Sequence, residues 1–122
     1  MNTLSPVNER TSAQYTATLT DELGAVIDGT ALDTATLTLY DAATLTTINS
    51  RSAQNVKNTN SVTISAAGAL VWALAPADNI IVREGNETED HIALFTFTWG
   101  GGSAKACVHP VKIRVTNVAL VP

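Results

Sequence analysis

A single cysteine, Cys107, stands among 122 residues, so no disulfide can form within the chain. Charged residues are also scarce, at 15%, against roughly 25% in an ordinary soluble domain. The 7 basic residues are outnumbered by 11 acidic ones, giving a net charge of -4. Nucleic-acid binding draws most of its affinity from Lys and Arg, so this balance argues against a phosphate-binding surface. Aromatic residues are only 5%, and no apolar run approaches the roughly 20 residues that span a bilayer. The opening residues Met1-Asn2-Thr3-Leu4-Ser5-Pro6 lack the basic and apolar regions of a secretory signal. With the lone cysteine, they set the expectation of folding in a reducing cytosol. Hydrophobic residues nevertheless make up 45%, which excludes a disordered acidic tail and suffices for one core.

What the chain does have is threonine and alanine, arranged with a period of two. Glu, Lys and Gln, on which long helices draw, are few, so helix content should be low. Alternation of apolar and polar residues marks half-buried strands. Residues 15–20 put Tyr15, Ala17 and Leu19 on one face, and Asp21-Glu22-Leu23-Gly24 closes the run as a turn. A short apolar piece at 25–27 ends at Asp28-Gly29. Residues 34–40 give the clearest strand, with Ala35, Leu37 and Leu39 opposed to Thr36, Thr38 and Tyr40. A short strand is expected over 45–48 and a single helical turn over 51–57. Residues 62–64 and 70–74 flank Ala66-Ala67-Gly68 as a hairpin, with Leu70, Trp72 and Leu74 facing the core and Pro76 ending the strand. Residues 77–90 read as a long connection with an apolar patch, Ile80-Ile81-Val82, and an acidic end. Two long strands follow. Residues 91–99 place His91, Ala93, Phe95, Phe97 and Trp99 on one face, and residues 106–118 place Val111, Ile113 and Val115 together after the loop Gly100-Gly101-Gly102-Ser103. Pro110 marks its part of the last strand as a sheet edge or a bulge. The sum is about seven strands at spacings of about 8–12 residues, the arithmetic of a single antiparallel β-sandwich. The domain organisation expected is an N-terminal arm over residues 1–14 and a sandwich over residues 15–122. The arm is either a frayed terminus or a segment that orders on a neighbouring subunit. The apolar end Ala119-Leu120-Val121-Pro122 tucks onto its own domain or docks on a partner.

Chemistry-bearing residues are thin. Cys107 and His109 share a strand face, but Pro110 follows the histidine directly and no glycine-rich turn presents the thiol as a nucleophile. His91, Cys107 and His109 would gather if the last two strands pair, yet three ligands without close spacing do not make a zinc site. The acidic group Glu84, Glu87, Glu89 and Asp90 lacks the register of a calcium loop and reads as a solvated loop. Asp21, Asp28, Asp33, Asp41 and Asp78 fall at turns, where aspartate bonds its own backbone. The glycine run is followed by no Lys-Ser/Thr and no helix, so it is no phosphate cradle, and Asn86-Glu87-Thr88 matches the glycosylation sequon by chance. Trp72, Phe95, Phe97 and Trp99 read as core rather than as a stacking platform. No catalytic, cofactor-binding or metal-binding residue is expected, no cofactor, and no enzymatic activity.

The stretch Tyr15-Thr16-Ala17-Thr18-Leu19-Thr20-Asp21-Glu22-Leu23-Gly24, the strand end Leu37-Thr38-Leu39-Tyr40-Asp41 and the hairpin Gly68-Ala69-Leu70-Val71-Trp72 together resemble small β-sandwich proteins of tailed bacteriophages. Glu89-Asp90-His91-Ile92-Ala93-Leu94-Phe95 and Ile113-Arg114-Val115-Thr116-Asn117 fit the same likeness, which runs from about Tyr15 onward. Those proteins are immunoglobulin-like modules that decorate capsids, or the N-terminal sandwich of siphophage upper-baseplate proteins. The resemblance implies a virion structural protein, assembled in the bacterial host cytoplasm. Its leading form is a capsid decoration (cement) protein that binds the major capsid protein or other virion proteins. A homo-oligomer is implied, a trimer suiting local three-fold axes, with no nucleic acid and no membrane as partner. The alternatives are a tail or baseplate module that docks a receptor-binding protein and a carbohydrate-binding sandwich with Trp72 or Trp99 exposed.

Overall fold

A computed structural model describes residues 2–120, without the side chain of Leu120. Eight strands form two sheets: β1 (Asn2–Asn8), β2 (Ala13–Thr18), β3 (Leu32–Asp41), β4 (Gln54–Asn55), β5 (Val62–Ile64), β6 (Ala69–Leu74), β7 (Thr88–Trp99) and β8 (Lys105–Thr116). The larger sheet has the order β1-β8-β7-β3-β4 and the smaller β2-β6-β5. The only helical pieces among the described residues are short 3-10 turns at Gly29–Ala31, Pro76–Asn79 and Val118–Leu120. The all-β expectation therefore holds, with two sheets around one core.

The period of two in the sequence becomes the two faces of each strand. Leu37, Leu39, Ala93, Phe95, Phe97, Val111, Ile113 and Val115 point inward from the larger sheet and are buried. Leu70, Trp72 and Leu74 meet them from β6. Across the layers the Trp72 ring stands edge-on to Phe95, 5.5 Å between centroids at 81°, and Phe95 lies parallel to Phe97. Burying one such side chain contributes about 1.5–3 kcal/mol. The β7–β8 hairpin is the longest ladder, and its turn holds Gly100, Gly101 and Gly102 at positive φ. A left-handed run of this kind is one that residues other than glycine adopt at a cost.

Several local expectations are corrected. The first residues are not an arm outside the sandwich: Asn2–Asn8 is an edge strand, parallel to β8 with Asn2 opposite Val111, and Val7 is buried. The larger sheet is accordingly mixed rather than wholly antiparallel. The pairing joins segments more than a hundred residues apart, so no turn signal announces it. β8 has no neighbour on that side before the β1 register begins, among the described residues, so the edge read from Pro110 fits residues 105–109. Residues 45–48 make only an isolated bridge, Tyr40 with Thr47. In place of a helical turn over 51–57 the chain bends through Ala53 at positive φ and pairs briefly with β3 as β4, because Val56 is drawn into the core and its amide bonds Ala35 of β3. The expected end segment places Val118–Leu120 in a short 3-10 turn with Val118 exposed, while Val121 and Pro122 lie outside the described residues.

Candidate functional site

Strand register separates the histidines that the sequence brought under one suspicion. His91 lies opposite Ile113, and His109 opposite Phe95. Four residues of β8 part the two, roughly 13 Å at strand rise. At the one end, His109 is tied to the smaller sheet: the Tyr15 hydroxyl lies 2.7 Å from its Nε2, and Asn2 Nδ2 donates to the Tyr15 oxygen at 2.9 Å. Burial lowers the His109 pKa, and it raises that of Tyr15 against the bond from Asn2. Both shifts favour the neutral phenol and the neutral imidazole, and the His109 tautomer sets which of the two donates. Burial also raises the Cys107 thiol, which holds it protonated and weakly nucleophilic. This end of the sandwich is a structural clasp between sheets.

At the other end His91 meets two carboxylates. Asp41 closes β3 directly opposite His91, and Glu89 precedes it by two on β7, so all three point to the inner face. All are buried. His91 Nε2 lies 2.9 Å from Glu89 Oε1 and 3.8 Å from Asp41 Oδ1. Glu89 also accepts from the Val82 and Arg83 amides, both at 2.8 Å, and from Asn86 Nδ2 at 2.9 Å. Burial pushes the Glu89 carboxyl up, but the bonds from His91, Val82, Arg83 and Asn86 outweigh it and leave it below the ordinary value. Asp41 Oδ2 accepts from the Thr44 amide and hydroxyl at 2.9 and 2.7 Å, while its Oδ1 accepts no hydrogen bond from a described residue. An open depression of about 340 Å³, lined by Asp41, Asn86, Glu89 and Asp90 among others, lies beside the cluster.

The segment that covers this end was legible as an apolar connection. Ile80, Ile81 and Val82 pack on the core, which carries the Val82 and Arg83 amides to Glu89. The acidic group divides: Glu89 is buried, and Asp90 pairs with Arg114 at 2.9 Å, which holds the Asp90 carboxyl below its usual range. The turn aspartates bond nearby backbone as expected, Asp41 through the Thr44 amide and Asp78 through the Ala75 amide, and two of them have a further role. Asp21 and Asp28 cap their turns at the surface, while Asp41 also joins the buried cluster and Asp78 also forms a buried pair with Arg51, 2.6 Å apart. Sequence reasoning missed Asp41 because only the β3–β7 register brings it to His91.

The outer face of the larger sheet is a second feature. Three rows cross β3, β7 and β8: Thr34, Thr98 and Ala106; Thr36, Thr96 and Val108; Thr38, Leu94 and Pro110. No charged side chain stands in these rows. Lys112 and the Asp90–Arg114 pair lie beyond them at one end. Val108 is 58% exposed. Trp72, by contrast, is wholly buried and offers no face to a sugar, and Trp99 is half-buried. No protein-family model, curated protein or solved structure matches the chain.

Proposed function

We propose that this chain is a structural protein of a tailed-bacteriophage virion, a capsid decoration protein that binds neighbouring capsid subunits through the outer face of its larger sheet. The observation that carries the reading is the charge-free set of rows on β3, β7 and β8. Covering threonine, alanine, valine, leucine and proline immobilises few rotamers, and no ion has to be stripped of water. An open sheet face of this kind suits another protein surface better than a small molecule, which needs a concave site. The net charge of -4 would be repelled by packaged DNA, which favours the outside of the shell.

The immunoglobulin-like character, the homo-oligomer with a trimer favoured, the absence of catalysis and the location on the virion belong to the same proposal. Its test is the copy number of the chain in purified particles, by quantitative mass spectrometry. A number on the scale of the major capsid protein supports decoration. A handful of copies supports a tail or baseplate module instead, and absence from particles contradicts both.

A further inference from the structure

We propose that Asp41, Glu89 and His91 form a binding site for a divalent transition cation, zinc above all, reached from the depression beside them. The site is independent of the virion reading and rests on three observations. One donor atom from each residue lies within 4.8 Å of the other two. Two ligands each about 2.1 Å from one ion stand at most about 4.2 Å apart. The separations of 2.9 and 3.8 Å from His91 Nε2 to Glu89 and Asp41 already meet that limit.

The second observation is the state of Asp41. Its side chain is 3% exposed. Its Oδ2 is committed to Thr44, and its Oδ1 faces the imidazole without a hydrogen bond from any described residue. Asp41 also lines the depression, so this oxygen keeps an unused lone pair that a cation entering from there can meet. The third is the other face of the ring: His91 Nδ1 is buried and has no partner among the described residues. No hydrogen bond from a described residue to Nδ1 fixes which nitrogen carries the proton, so Nε2 can present its lone pair to an ion, at the cost of an Nδ1–H that meets no acceptor. Glu89 keeps its bonds from Val82, Arg83 and Asn86 while Oε1 turns from the imidazole to the ion.

The donor set decides the class of ion. One imidazole nitrogen and two carboxylate oxygens suit zinc with a fourth, water-filled position toward the depression. Calcium asks for six to eight oxygens, as a rule, and finds too few here.

The test uses the full chain, stripped with a chelator and titrated with Zn2+, and with Ca2+ in a parallel arm. The expected result is one Zn2+ per chain by calorimetry and a His91 ring whose 15N signals show Nδ1 protonated and Nε2 ligated. Asp41→Asn keeps an oxygen for Thr44 and so should stay folded by circular dichroism. It should weaken Zn2+ binding by about tenfold or more, since even residues outside the ligand set commonly cost that much. His91→Gln should do the same, and His109→Gln should leave binding unchanged. The proposal is overturned if Zn2+ does not bind, if Asp41→Asn leaves the affinity intact, if His109→Gln abolishes it, or if Ca2+ binds as tightly. Unchanged 15N signals at His91 during saturation would overturn it as well.

Discussion

Arg51 is the residue on which the irregular half of the molecule converges. Its Nε and one terminal nitrogen hold both oxygens of Asp78, at 2.6 and 3.1 Å, and its other nitrogen reaches Gln54 and the Asn60 carbonyl. The guanidinium also lies over the Trp72 ring at 5.8 Å. Asp78 in turn accepts from Asn49 and from the Ala75 amide. Removing one member leaves the other buried and unpaired, so Arg51→Ala or Asp78→Ala should each lose about 3–5 kcal/mol in urea denaturation. The double change to Met and Leu should lose less than the sum of the single ones, because no orphaned charge remains. None of this was legible. Asp78 in sequence is a turn aspartate like Asp28, and only its distance from Arg51 along the chain, closed by the fold, makes it a core residue.

Acid stability is also decided residue by residue. Glu89 titrates below the ordinary carboxylate range in the folded protein, so the unfolded chain takes up its proton first as pH falls. Its contribution is present above the ordinary glutamate value near about 4.3 and fades as pH drops through the folded value. His109 is likewise lowered by burial, and the unfolded chain again binds the proton more readily. Its loss sets in earlier, as pH falls below about 6.5. Denaturation midpoints measured from neutral to acidic pH should show both steps. His109→Gln should remove the upper one, and Glu89→Gln should shrink the lower one, to which Asp90 also contributes. A profile unchanged by either substitution would contradict these assignments.

At the scale of elements, the strands were readable wherever burial alternates along a local run. β3, β6, β7 and β8 appear in the sequence within a few residues of their bounds, and so does the glycine hairpin between the last two. What escaped was pairing over long separation and conformation without a period. The segment from Leu45 to Asn60 turns repeatedly through positive φ, at Leu45, Asn49, Ser50, Ala53, Asn58 and Asn60. Such a path is fixed by Ile48, Val56 and Arg51 seeking the interior, and no hydrophobic repeat records it. β1 is the sharper case. As an edge strand it exposes mostly polar residues, Asn2, Thr3, Ser5 and Asn8, and its partner β8 lies at the far end of the sequence. Deleting residues 1–8 should therefore lower the thermal midpoint and expose the β8 edge to aggregation, visible as a calorimetric shift and light scattering. An unchanged midpoint would return the segment to the role of a detachable arm. Gly29 offers a finer test: a Cβ there would collide with Ile64 and with the Ser65 carbonyl at 2.6 Å. Gly29→Ala should destabilise the protein although its backbone conformation tolerates alanine.

For the whole molecule, the sequence disclosed two layers and a shortage of charge, but not where the uncharged surface would gather. The β3–β7–β8 register gathers it, placing Thr36 beside Thr96 and Val108 on one exposed face. Thr96→Lys and Val108→Glu lie outside the core, so each should change stability by only about 0.5 kcal/mol or less. If that face is the docking surface, the same changes should weaken co-sedimentation with particles that lack the chain. The buried trio at the opposite face belongs to the interior, and its occupancy should leave that binding unaffected. The decisive measurement is a cryo-electron reconstruction of the virion that carries this chain. The expected map places it on the outside of the capsid, with the Thr36, Thr96 and Val108 face covered by neighbouring capsid subunits. A map with that face open to solvent, or with no density for the chain anywhere on the head, would contradict the proposal.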